Sequence, residues 1–185
     1  MRIGFLGYGE AARAFHDGLA RPAVEERVPR DRGTVLLAID TSGSMEAVDV
    51  TPSRLAAAQS AARRFVRQLP AGIRVGIVSF DSAARVLTPP SDDRRAALTA
   101  IDSLEIGGGT ATADAIDRSL AALASAAPDG RSEAPEGPPG VIVLMSDGAP
   151  TIGTAGRTPE ESLAAAVADA RAAGGPVNTN AFGTA

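Results

Sequence analysis

The chain has 185 residues, of which 44% are hydrophobic, and a formal net charge of −4. This length is enough for one main domain with a proper core. Acidic residues and arginines are interspersed, which excludes the basic surface of a nucleic-acid-binding protein, so no nucleic-acid partner is expected. All 18 basic residues are arginine and there is no cysteine, which excludes lysine-dependent phosphate loops, disulfides and thiolate metal sites.

The first segment, MRIGFLGYGEAARAF, combines a short apolar strand, the spacing Gly7, Gly9 and Ala12, and an alanine-rich helical start. It resembles the first strand, turn and helix of a Rossmann dinucleotide-binding domain of the 6-phosphogluconate dehydrogenase type, whose glycines let a pyrophosphate approach a helix N-terminus. A complete site also needs a second strand ending in an acid about twenty residues further on, and Pro22 interrupts that segment. We therefore expect residues 1–20 to be a structural or fusion segment, with NAD(P) binding as the weaker alternative.

Residues 21–33 are predicted to be a linker, and residues 34–185 the main domain. Apolar runs rich in Val, Ile and Leu predict strands buried on both faces of a parallel sheet; they are TVLLAI (34–39), IRVGIVSF (73–80) and VIVLM (141–145). A run that ends in two prolines, ARVLTPP (84–90), predicts an antiparallel edge strand. The last candidate strand is PVNTNAF (176–182).

Four helical patterns lie between these runs, with capping signals at their ends. The predicted signals are Thr51 as N-cap with Pro52 following it, a start near Ser91, a start just after GGGT (107–110), and a capping box from Thr158 to Glu161 with Gly174 as the stop. Strands that alternate with helices predict a doubly wound α/β fold, a three-layer sandwich with a mostly parallel sheet and one antiparallel edge strand. The segment PDGRSEAPEGPPG (128–140) is predicted to be a surface loop.

Oxygen-bearing side chains follow two of the predicted strands. Asp40 ends the first strand and is followed by Ser42 and Ser44, and Asp147 ends the strand VIVLM. In open α/β sheets the functional crevice lies at the carboxyl ends of the strands, where the strand order reverses. If these two strands are neighbours, both carboxylates face one crevice, with Gly43 allowing a tight turn between the serines.

Thr110, after the flexible glycine triplet 107–109, supplies a third hydroxyl at the start of a helix. Three hydroxyls and two carboxylates are hard oxygen donors, which suit Mg²⁺ or Mn²⁺ and suit Zn²⁺ or Cu²⁺ poorly. Neutral hydroxyls leave such an ion with positive charge that attracts a carboxylate from a partner. The sequence therefore predicts a metal site completed by its ligand.

At these residues, DTSGS, GGGTAT and MSDG, the chain resembles the von Willebrand factor type A (VWA) domain, most closely its bacterial members. The resemblance implies a metal-ion-dependent adhesion site in which the two serines and the threonine ligate the ion directly, while Asp40 and Asp147 act mostly through bound water. It also implies a protein partner that offers a carboxylate, with an AAA+ ATPase system as one candidate. Bacterial relatives are membrane-anchored and extracytoplasmic, whereas this sequence contains no apolar stretch of about 18 residues or more and is predicted to be soluble as given, so localisation stays open.

Two alternatives to a metal-dependent protein-binding module remain open. A complete VWA domain would continue into another strand and helix, so the sequence predicts a C-terminal truncation and allows an inactive chain. The N-terminal glycines allow a fragment of an NAD(P)-dependent oxidoreductase. A hydrolytic enzyme is not expected, because a serine nucleophile needs a base and the only histidine, His16, has no companions.

Overall fold

The computed structural model describes residues 33–126, 140–154, 156–174 and 177–181. The Rossmann-like segment 1–20 with Gly7, Gly9 and Ala12, the linker up to residue 32 and nearly all of the predicted loop 128–140 lie outside these residues. The predictions for them therefore stay predictions. Among the described residues, no helix is long and apolar enough to cross a membrane.

Five strands form one sheet in the order β3-β2-β1-β4-β5. The strands are β1 (Thr34–Asp40), β2 (Arg74–Phe80), β3 (Ala84–Ser91), β4 (Gly140–Ser146) and β5 (Val177–Ala181). All neighbouring pairs are parallel except β2 and β3. The mostly parallel sheet with β3 as an antiparallel edge strand is the predicted fold class, which is confirmed.

Within the described residues, five helical elements accompany the sheet. They are a 3₁₀ turn (Gly43–Glu46), α1 (Arg54–Gln68), α2 (Arg94–Asp102), α3 (Thr112–Ser125) and α4 (Pro159–Ala172). The capping box at the start of α4 is confirmed, since the Thr158 side chain accepts from the Glu161 N–H and the Glu161 carboxylate accepts from the Thr158 N–H. Gly174 follows the end of α4 with φ +69°, a conformation that glycine adopts without steric cost.

The predicted starts of α1 and α2 need correction. The N-cap of α1 is Ser53, whose side chain accepts from the Ala56 N–H, so Thr51 and Pro52 lie before the helix. The N-cap of α2 is Asp93, whose carboxylate accepts from N–H groups of the first turn, so the predicted start near Ser91 is too early. In both cases a side-chain acceptor two residues further along the chain satisfies the free N–H groups of the helix.

Alternate residues of β1 face opposite layers of helices, as expected for a strand. Leu37 and Ile39 pack with α1 and α2 on one side, and Leu36 and Ala38 pack with α3 on the other. The helix α4 packs against α3 through small residues such as Ala166. Fully burying a leucine or isoleucine side chain stabilises a fold by about 1.5–3 kcal/mol, so this central strand anchors both layers and fixes the position of its carboxyl end.

Candidate metal-binding site

The carboxyl ends of β1 and β4 lie side by side at the centre of the sheet. The two strands pair in parallel up to Ile39 and Met145. The chain leaves β1 for β2 and β3 on one side and returns to β4 on the other, so the strand order reverses at β1. Asp40 and Asp147 therefore meet at the crevice that the sequence predicts.

Asp40 is completely buried at the end of β1. Its Oδ1 atom accepts from the Ser42 N–H at 2.8 Å, and its Oδ2 atom accepts from the Ser146 hydroxyl. Burial raises the pKa of Asp40, hydrogen bonds from Ser146 and Ser42 lower the pKa in part, and the nearby Asp147 carboxylate raises it again. The negative charge of Asp40 is thus costly in the metal-free protein, and a cation in the crevice would offset that cost.

Hydrogen bonds join the two serines to the second carboxylate. The hydroxyl oxygens of Ser42 and Ser44 are 3.1 Å apart, and the Ser44 hydroxyl donates to Asp147 Oδ1 at 2.8 Å. A hydrogen-bonded series therefore runs from Asp40 through both serines to Asp147. Gly43, between the serines, is the first residue of a 3₁₀ turn, so the predicted tight turn is present, and its φ is not positive.

Thr110 lies in a loop that is bonded to the turn after β1. The Gly107 N–H donates to the Thr41 carbonyl at 2.7 Å, and the Gly43 N–H donates to the Gly108 carbonyl at 2.9 Å. Thr110 itself is buried, and its N–H donates to Thr151 Oγ1 at 2.8 Å. Within the described ranges, no hydrogen bond links Thr110 directly to the four other predicted ligands. The structure thus places Thr110 in the loop beside the site and fixes it through its backbone.

The glycine triplet before Thr110 is closely packed, which corrects the expectation of a flexible segment. A Cβ atom at Gly107 would lie 2.7 Å from Asp81 Cγ, and one at Gly109 would lie 2.9 Å from Ile152 Cδ1. The Gly109 N–H also donates to the Ser82 hydroxyl at 2.9 Å. Glycine is needed here because neighbouring side chains occupy the space of a Cβ atom.

Three residues at the site were missed by the sequence analysis. Ser146 donates to Asp40, and Arg54 Nη1 donates to Asp147 Oδ2 at 2.6 Å. Arg54 also donates through Nε and Nη2 to the two carboxylate oxygens of Asp49, each at 2.8 Å. Hydrogen bonds to Asp49, the larger cause, and to Asp147 raise the pKa of Arg54 above its ordinary value. Ser146 could have been found from its place at the end of β4, whereas no local pattern relates Arg54 to Asp147.

Three oxygen atoms of the candidate site, from Ser42, Ser44 and Asp147, lie at spacings compatible with a small hard cation. Among the described residues there is no group of three or more His, Cys, Asp or Glu side chains that could hold a metal ion; the predicted site instead combines two carboxylates with neutral hydroxyls. Adjacent oxygens around an octahedral Mg²⁺ are about 3 Å apart, because each lies about 2.1 Å from the ion. The spacings of 3.1 Å between the serine hydroxyls and 2.8 Å from Ser44 to Asp147 fit this shell.

Comparison with known proteins places these features in a family. The family described as von Willebrand factor type A domain matches residues 35–149. A UPF0353 protein of Mycobacterium sp. (strain KMS) is 42% identical over 167 residues, which is 90% of this chain and 49% of that protein. The chain thus spans about half the length of the curated relatives it matches.

Two solved structures share the fold. An aerotolerance-related membrane protein from Bacteroides fragilis NCTC 9343 has a TM-score of 0.66 and 29% identity, covering 81% of this chain and 67% of that one. The vWF domain of the type V pili tip protein Mfa5 from Porphyromonas gingivalis has a TM-score of 0.55 and 24% identity, covering 65% of this chain and 39% of that one. With the sheet order, the helix layers and the matched residues in agreement, the chain belongs to the von Willebrand factor type A domain family.

Proposed function

We propose that the chain is a protein-binding module whose bound metal ion captures a carboxylate of its partner. Mg²⁺ or Mn²⁺ would be held by five residues, which are Asp40, Ser42, Ser44, Thr110 and Asp147. The observation that carries this proposal is the hydrogen-bonded series from Asp40 through both serines to Asp147. VWA domains commonly act as protein-interaction modules, which supports a binding role for the same crevice.

The charges of the site favour an acidic partner. Three of the five proposed ligands are neutral hydroxyls, and one oxygen of Asp147 is already paired with Arg54. A divalent ion in this crevice would keep part of its positive charge, which attracts an anionic oxygen. Ser44 and Gly148 are exposed at the mouth of the crevice, so a partner side chain can reach it.

The same groups suit binding better than catalysis. A serine nucleophile needs a base that removes its proton, but the Ser44 hydroxyl donates to a carboxylate that Arg54 already stabilises as an anion. The chain has no lysine, and its only histidine is His16. We therefore propose a non-enzymatic role, in which the ion supplies an electrophilic contact and the protein holds its ligands.

The partner would be a protein that presents an exposed aspartate or glutamate. The fold neighbours include the vWF domain of a type V pili tip protein and an aerotolerance-related membrane protein. An AAA+ ATPase system with an acidic surface side chain is a further candidate for this chain.

Isothermal titration with Mg²⁺ tests the proposal. Asp40→Ala and Thr110→Ala should each weaken Mg²⁺ binding by about tenfold or more, because each removes an oxygen donor or the anion beside it. Asp102→Ala and Thr99→Ala are matched controls on α2, where both side chains are exposed, and both should leave Mg²⁺ affinity unchanged. Wild-type affinity in both site variants would overturn the proposed metal site.

A further inference from the structure

Arg54 is built into the candidate site from the first residue of α1. Its guanidinium donates one hydrogen bond to Asp147 and two to Asp49. The side chain of Asp147 is only 1% exposed, against 17% for Arg54 and 28% for Asp49. Asp147 therefore has one oxygen bonded to Ser44 and the other bonded to Arg54, and water has almost no access to it.

The pair with Asp49 fixes the orientation of the guanidinium. Two parallel N–H···O bonds hold an arginine fork in one plane, and Asp49 supplies them from the loop before α1. The third bond then points at Asp147 with a donor that stays charged at every working pH. The site thus contains a permanent positive charge within hydrogen-bond distance of one of its two carboxylates.

This charge opposes a metal ion and favours an anion. Unit charges a few ångströms apart interact by several kcal/mol in a partly buried site, at an effective dielectric constant of about 20. Arg54 therefore reduces the attraction of Asp147 for a divalent ion. Once the ion is bound, the same charge leaves the crevice more positive, and an incoming carboxylate binds more tightly.

We propose that Arg54 is a positioning residue that holds Asp147 in place and sets the charge of the site, so that the isolated chain binds Mg²⁺ weakly and the metal and an acidic partner bind cooperatively. This inference rests on the proposed function and concerns how the same site is tuned. Arg54 lies 93 positions from Asp147 in the sequence and is not one of the five proposed ligands. A purely structural ion pair would stabilise α1 without affecting metal affinity.

Titration of the intact chain with Mg²⁺ separates these roles. Arg54→Gln should bind Mg²⁺ at least about fivefold more tightly than the wild type, because the opposing charge is gone. Its melting temperature in EDTA should be lower than that of the wild type, because Asp147 stays buried without its cation. Arg54→Lys keeps the charge and should bind Mg²⁺ within about twofold of the wild type. Arg63→Gln is the control. Arg63 lies about 13 Å further along α1 than Arg54 and pairs with Asp102 at the end of α2.

Sodium acetate serves as the simplest carboxylate probe for the second half of the proposal. Acetate should raise the Mg²⁺ affinity of the wild type and of Arg54→Lys more than that of Arg54→Gln. If Arg54→Gln does not fold, Asp49→Asn provides the converse test, because it leaves Arg54 with less compensation and should weaken Mg²⁺ binding.

The outcomes distinguish this inference from the proposed function. Wild-type protein that binds no Mg²⁺ overturns both. The role of Arg54 alone is overturned if the wild type binds Mg²⁺ but Arg54→Gln binds it equally well or more weakly. It is also overturned if Asp49→Asn has the Mg²⁺ affinity of the wild type. Tighter binding in Arg54→Gln, lost when Thr110→Ala is added, supports both.

Discussion

Replacing Asp40 by asparagine tests the cost of burying a charge at the site. Asparagine has the same shape as aspartate, and its oxygen can accept from the Ser42 N–H. Its amide group can donate to the Ser146 hydroxyl oxygen. The Ser146 hydroxyl can then donate to the Gly148 carbonyl oxygen, which lies 3.4 Å away. All hydrogen bonds can thus be kept while the charge is removed. We expect Asp40→Asn to be more stable than the wild type in metal-free buffer at pH 7, although its Mg²⁺ affinity should be lower, because the anion beside the ion is gone.

The size of this effect follows from the pKa of Asp40. Burial raises the pKa in the folded state above the unfolded value of 3.8, so the unfolded chain loses its proton first as pH rises. The wild type therefore loses stability, relative to the variant, from about pH 4 until the folded-state pKa is passed. The loss is at most about 1.4 kcal/mol per pH unit within that window, and it is constant at higher pH.

Urea unfolding of both proteins in metal-free buffer between pH 3.5 and about 8 measures this difference. The two free energies of unfolding should be closest at the acidic end, because Asp40 is then neutral in the folded wild type and mostly protonated in the unfolded chain. The variant should become the more stable protein as pH rises. A variant that is less stable at pH 7, by a margin that does not change with pH, would refute the reasoning about burial.

Three further substitutions test the fold around the site. Gly107→Ala places a Cβ atom 2.7 Å from Asp81 Cγ, so it should cost about 1–3 kcal/mol of stability and weaken Mg²⁺ binding; Gly148→Ala, which meets no atom within 4 Å, should do neither in the same urea and titration assays. Leu37→Ala removes a side chain that is 1% exposed and should cost about 2–5 kcal/mol in urea unfolding, and a loss below about 1 kcal/mol would contradict the packing described. Thr158→Ala breaks the capping box of α4 and should lower the free energy of unfolding by about 1 kcal/mol without changing Mg²⁺ affinity.

The sheet could be predicted because its determinants are local. Continuous apolar runs such as 34–39 and 141–145 can be stable only where both faces are covered, which requires helices on both sides. The prolines at the end of β3 require an edge position because a proline cannot donate to a neighbouring strand. These two constraints did not decide that β1 and β4 are neighbours, which the sequence left as a condition and the sheet order confirms.

The helix starts were harder to predict because neighbouring residues compete for the same role. Thr51 precedes a proline and has the side chain of an N-cap, but Ser53 is the residue whose oxygen reaches the Ala56 N–H. The choice depends on where the chain leaves the 3₁₀ turn, and the Arg54 N–H is bonded to the Ala47 carbonyl at 2.9 Å. That bond joins residues seven positions apart, which a capping pattern does not reveal.

The details of the site also depend on contacts between distant segments. The bond from Arg54 to Asp147 joins residues 93 positions apart, and the bond from Ser146 to Asp40 joins residues 106 positions apart. Residue types predict which side chains can bind a cation, but not which of them are already bonded to one another. The glycine triplet shows the same limit, since its close packing depends on Asp81 and Ile152.

A crystal of the protein grown with Mn²⁺, measured at the manganese absorption edge, tests the central claim most directly. We predict one strong anomalous peak in the crevice, with hydroxyl oxygens of Ser42, Ser44 and Thr110 about 2.2 Å away and with the peak absent in Asp40→Ala. No peak between β1 and β4, or a peak coordinated by other residues, would contradict it.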